Sequence, residues 1–205
     1  MPTKPGSDWT VLMTSYDEVG FPHLDALRES NPLADIHICI DDGEEDRDFK
    51  WRNPDWFIRE WWKRYRGAVR TSRVALLEYD ALVTAPLPDI EVRGVAGAQL
   101  KRPGDDWYWW DERRKLGRIL RHAVGVVPMG VIFLSAEAMD RLADEEWDYL
   151  YRLDLFSEMR LPSIIKACGL PVIQTSLPDV GTIPITPRPE PGIYHPVKIP
   201  ALRRR

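Results

Sequence analysis

With 205 residues, 44% of them hydrophobic and 29% charged, the chain has enough apolar content to offset the entropy of ordering one core, but not the length expected of two full domains. A net charge of -4 and a sequence pI near 5.6 argue against a general electrostatic drive toward nucleic acid, and the closing Arg203, Arg204 and Arg205 make only a short basic tail. Two distant cysteines, Cys39 and Cys168, form no disulfide framework and read as reduced, buried thiols; the polar start over residues 1–7 lacks the apolar centre of a signal peptide and no run is long enough to span a membrane, so the cytoplasm is the expected compartment.

Residues 10–14 (TVLMT) form a β-branched and apolar run, followed by Ser15, Tyr16 and Asp17 and then a helix-like stretch over 21–29 that stops near Asn31 and Pro32. A second buried strand, 35–40 (DIHICI), runs straight into Asp41, Asp42 and Gly43, which completes a βαβ unit with an acidic turn. After a polar stretch, Pro54 sits where a first helical turn tolerates it. It opens an amphipathic helix whose Trp56, Phe57, Ile58, Trp61, Trp62 and Tyr65 read as core, with Gly67 marking its end. Residues 73–77 (RVALL) are an apolar strand that ends on Glu78, Tyr79 and Asp80.

Further on, 83–89 reads as a proline-containing loop, 90–100 as a strand with glycines, 101–112 as a tryptophan-rich loop and 113–122 as a helix. Residues 126–134 are a strand interrupted by Pro128 and Gly130. Ser135 is placed to cap a helix toward Tyr151, Ser157 to cap another over 158–168, and a strand follows over 171–175. The prolines of 177–200 predict an extended tail laid over the domain in place of regular structure. This alternation predicts a single-domain α/β/α sandwich around a mainly parallel sheet, where ligands sit at the carboxyl ends of the strands.

Glu78 and Asp80, two residues apart at a strand end, are candidate ligands for a hard divalent cation. If the strand continues, both carboxylates share a face; if the chain turns, Asp80 ligates directly and Glu78 supports the site through water or a hydroxyl. A solvated strand end is the alternative. The order TVLMTSYDE, helix, DIHICIDDGEED, then LLEYDALVTAPLP resembles family 2 glycosyltransferases and their GT-A relatives, in which a D-D-G-S-like turn and a later D-x-D segment occur in that order. Two positions depart from the pattern, Glu44 where serine is expected and Glu78 where the first aspartate stands.

The resemblance implies a transferase that uses Mn²⁺ or Mg²⁺ to move a sugar from a nucleotide diphosphate, a UDP-sugar first of all, to a carbohydrate or other hydroxyl acceptor. It implies that Asp41 or Asp42 accepts a hydrogen bond from a uracil imide, that Ser15, Tyr16 and Asp17 line the nucleoside pocket, and that Glu78 and Tyr79 lie on the donor. Tyr194-His195-Pro196-Val197-Lys198 resembles the closing segment of such enzymes, with His195 joining Asp80 on the metal and Lys198 meeting the diphosphate. Mixed oxygen and imidazole ligation suits a borderline cation.

Glu158, in SEMRLP at a predicted helix start, is the general base that the resemblance implies, since inverting GT-A enzymes place an acidic base at a comparable helix start, where the helix dipole favours its ionised form. The plainer alternative is a glutamate that only caps the helix. In the tryptophan-rich loop, Trp109 or Trp110 is expected to be exposed and to stack on a sugar ring, and Gly130 lets a sugar or acceptor approach the backbone. Two other functions fit parts of the pattern: a binding module that keeps the nucleotide-sugar pocket without transfer, motivated by Glu78, and a nucleotidyltransferase, disfavoured because SYDEVGF carries a single glycine.

Overall fold

The computed structural model describes residues 9–16, 20–41, 52–102, 104–105, 108–175, 179–180 and 190–197. Its centre is a seven-stranded sheet. The βαβ unit expected at the start is there: β1 (Trp9–Tyr16), α1 (Leu24–Ser30) and β2 (Asp35–Asp41). β3 (Arg73–Glu78) lies on the other side of β1, parallel to it. Then come β5 (Val95–Leu100), β6 (Gly125–Val126), β7 (Val131–Ser135) and β8 (Val172–Gln174), giving the path β2-β1-β3-β7-β5-β6 with β8 also on β5. β1, β2, β3, β5 and β8 run one way while β6 and β7 run against them, so the sheet is mixed and mainly parallel, as its alternation with helices predicts.

The central strands β1, β3 and β7 are apolar on both faces, and their period of two divides the core. Leu12, Val74, Leu76, Ile132 and Leu134 face one side, packed with α2 (Pro54–Tyr65), α3 (Ala136–Leu142) and α5 (Ser157–Ala167). Val11, Met13, Ala75, Leu77, Val131 and Phe133 face the other side, packed with Leu27 of α1 and with Val83, Leu87 and Ile193. α4 (Asp148–Tyr151) is a single turn between α3 and α5. No helix among the described residues is long and apolar enough to cross a membrane.

Ser135 caps α3 as expected, its Oγ accepting the Ala138 N–H at 3.0 Å. Four other expectations are corrected. The stretch over 113–122 is no α-helix: Tyr108–His122 is a 3-10 segment broken at Gly117, whose φ of 56° an α-helix cannot contain. Ser157 is the first residue of α5 and does not cap it, because the chain enters in extended conformation at Phe156. Cys168 is half-buried, unlike the buried Cys39.

The tail, fourth, does form regular structure. β10 (Ile193–His195) pairs antiparallel with β4 (Leu82–Val83) and parallel with β9 (Asp179–Val180). Further bonds hold it: the Thr84 N–H donates to Gly192 O at 2.9 Å and the Val197 N–H to Asp80 O at 2.9 Å, while His23 Nε2 lies 3.1 Å from Val197 O.

Candidate metal centre and active site

Parallel register aligns the carboxyl ends of the first three strands. Tyr16 stands opposite Asp41 across β1 and β2, and Thr14 opposite Glu78 across β1 and β3. Ser15 is buried there, and its Oγ has no hydrogen-bond partner among the described residues, an arrangement that leaves a polar group at the strand ends to be satisfied by something else. Of Tyr16 and Asp41 the backbone alone is described, while Asp17, Asp42 and Lys198 lie outside the described residues.

Beyond β3 the chain turns at once, the Ala81 N–H donating to Glu78 O at 3.0 Å. The turn sends Asp80 inward, where it is 2% exposed, and leaves Tyr79 half-buried. β10 delivers His195 to the same place. Its Nε2 lies 3.1 Å from Glu78 Oε2 and 3.2 Å from Asp80 Oδ1. One ligand atom from each of Glu78, Asp80 and His195 falls within 4.8 Å of the other two. Glu78, read from the sequence either as a second ligand or as a support on the donor side, thus belongs to the same cluster as Asp80.

Two carboxylates and an imidazole meeting at a nearly buried point fit a divalent cation of borderline hardness, since the carboxylates supply charge and the imidazole a neutral nitrogen. Without a cation, burial alone would lower the His195 pKa, but hydrogen bonds and charge from Asp80 and Glu78 outweigh it and raise the imidazole to about 9.

Gly130 explains how the imidazole fits. A Cβ at that position would stand 2.1 Å from the His195 ring, so the close approach this glycine allows is made by His195 and not by a sugar. The carbonyl of Gly130 also accepts the Glu78 N–H at 2.9 Å. One residue therefore fixes the backbone of one candidate ligand and the ring of another.

Glu158 is in the first turn of α5, half-buried. Burial, helped by the charge of Glu78 and opposed by that of His195, raises its carboxyl to about 7. A carboxylate that titrates near neutrality beside a candidate metal centre has the properties of a general base.

Trp110 is a correction. It is 5% exposed and belongs to the same core as Leu116 and Ile119, with the Arg113 guanidinium 5.2 Å from its ring centroid, so it presents no face to a sugar. Asp111 and Glu112 follow it in sequence, but Trp110 lies on the inward side of the 3-10 segment. The side chain of Trp109 lies outside the described residues. Arg160, Asp55 and Asn53, which form a fully buried cluster behind Glu158, escape sequence reasoning, although an arginine inside the apolar run of SEMRLPSII signals a buried partner.

No protein-family profile matches the chain, and no curated protein matches it. Among solved structures it is similar to a glycosyltransferase involved in the glycosylation of the major capsid of PBCV-1, at 10% identity and a TM-score of 0.41 over 71% of this chain and 66% of that one. It is similar also to an active-site mutant of LgtC, at 13% identity and a TM-score of 0.43 over 76% of this chain and 70% of that one. The chain thus spans just under two thirds of the length of the first of these.

Proposed function

We propose that this chain is a metal-dependent glycosyltransferase that moves a sugar from a nucleotide diphosphate, a UDP-sugar before others, to a hydroxyl acceptor. The observation that carries this reading is the convergence of Glu78, Asp80 and His195, from strands more than a hundred residues apart, at the carboxyl end of the sheet. In this reading the 205 residues act as one domain in the cytoplasm.

Glu78, Asp80 and the neutral form of His195 would hold Mn²⁺ or Mg²⁺. When bound, such an ion supplies positive charge against the diphosphate that departs. The protein's own residues do the rest. Ser15, Tyr16, Asp17, Asp41 and Asp42 receive the nucleoside, supported by the aligned ends of β1 and β2 and by a Ser15 hydroxyl that has no partner among the described residues. Tyr79 and Lys198 lie along the donor, and Trp109 is the remaining aromatic candidate for the acceptor. Glu158 takes the proton of the attacking hydroxyl, which makes an inverting displacement the natural course.

The test is UDP release from a panel of UDP-sugars, with and without Mn²⁺, by the wild type and by Asp80→Ala and His195→Ala. Metal-stimulated release that both substitutions abolish supports the reading. Unchanged release in both removes the metal assignment, and donor binding without any turnover converts the protein into a binding module.

A further inference from the structure

Pro162 lies inside α5, and its ring nitrogen has no hydrogen to offer the carbonyl four residues back. That carbonyl belongs to Glu158. The backbone N–H of Val127 donates to it instead, at 2.8 Å. Val127 leads through Pro128 and Met129 to Gly130, which carries the His195 ring and bonds the Glu78 N–H. The first turn of α5 is thereby joined to the segment that organises the metal centre.

Arg160 grips the same turn from within the core, at 0% exposure. Its Nε donates to Asp55 Oδ2 at 2.9 Å, and one Nη donates to Asp55 Oδ1 at 2.6 Å and to Asn53 Oδ1 at 2.7 Å. The other Nη donates to the carbonyls of Leu155 at 3.0 Å and Leu150 at 3.4 Å. A guanidinium has five N–H donors, and each has an acceptor here. If the task were only to fill space, an apolar side chain would serve without the desolvation cost of a buried ion pair. What the fork adds is a fixed orientation of three segments: the start of α2, the end of α4 and the entry to α5.

Two residues along an α-helix turn it by about 200°, so an inward Arg160 leaves Glu158 directed away from the core. We infer that Arg160 is the positioning residue for Glu158: by tying the entry of α5 to Asp55 and Asn53, it sets where the Glu158 carboxylate stands relative to Glu78 and His195. This rests on the proposed role of Glu158. Arg160 itself touches no reacting atom.

Two variants test it. Arg160→Lys keeps the charge and loses the fork; Asn53→Ala removes one acceptor and leaves the Asp55 pair whole, so a folded protein is in hand even if the lysine variant does not fold. Each is compared with wild type by thermal unfolding, by Mn²⁺ affinity, by kcat and KM for the UDP-sugar, and by the ¹³C carboxyl resonance of Glu158, identified through its loss in Glu158→Gln. In the folded variants kcat is expected to fall about tenfold to a hundredfold with donor KM and Mn²⁺ affinity retained, as for a misplaced base. The Glu158 resonance is expected to move. A folded variant with wild-type kcat and an unmoved resonance overturns the inference and leaves Arg160 a purely structural residue. If the wild type releases no UDP from any donor, the transfer reading falls, and the resonance alone then decides whether Arg160 positions Glu158.

Discussion

The imidazole of His195 occupies the space that any side chain at Gly130 would need. Gly130 is not among the positive-φ glycines, so its backbone would accept alanine, and the three atoms nearest to such a Cβ all belong to the ring. Gly130→Ala is therefore expected to fold and to push His195 off the carboxylates. By analogy with the loss of other groups that orient metal ligands, Mn²⁺ affinity should drop about 10- to 100-fold, measured by calorimetric titration. Wild-type affinity in this variant would show that His195 does not depend on that contact.

A second expectation concerns protons. The His195 pKa is raised in the folded protein, so the stability it contributes is fully present below about 6.5, its ordinary value, and is lost as pH climbs through about 9. A metal must expel the same proton. Mn²⁺ affinity should therefore rise with pH across this window, by about tenfold per unit if one proton is released, and level off above it. Titrations at several pH values check this, and an affinity independent of pH would mean that the imidazole is not displaced from its proton by the metal.

Ser135 offers a test of the fold that leaves the site alone. Its hydroxyl satisfies the Ala138 N–H at the start of α3, and loss of such a cap costs about 1 kcal/mol. Ser135→Ala should lower the urea midpoint accordingly without changing Mn²⁺ affinity.

RVALL is legible in the sequence because a strand buried on both faces is a plain apolar run; DIHICI, expected to be buried, is the edge strand and leaves Asp35 and Ile38 exposed, and both runs end abruptly in carboxylates. Asp80 and His195 could be paired from their motifs. Their partner Glu78 is left open between direct ligation and support of the site, because the turn that follows β3 decides where its side chain points and residue period does not reach past a turn. Trp110 misleads for a related reason: Asp111 beside it in sequence says nothing about the inward side of a 3-10 segment. The pairing of β10 with β4, and of Arg160 with Asp55 across 105 positions, are long-range events with no local signature.

Glu158 carries the last expectation. Its folded pKa of about 7 is raised mainly by burial, so the carboxyl contributes stability that is fully present below about 4.5 and lost as pH rises through 7. Glu158→Gln keeps the shape, removes that titration and removes the proton acceptor. The variant should be more stable than wild type at pH 8, and the advantage should shrink toward pH 4, where both side chains are neutral. Transfer should fall by about 10²- to 10⁴-fold, the range for loss of a general base, while donor binding is unchanged. In the wild type the rising limb of the rate against pH should lie near 7, where the Glu158 carboxyl ionises. Wild-type rates in Glu158→Gln, with the pH limb retained, would assign the base to another residue.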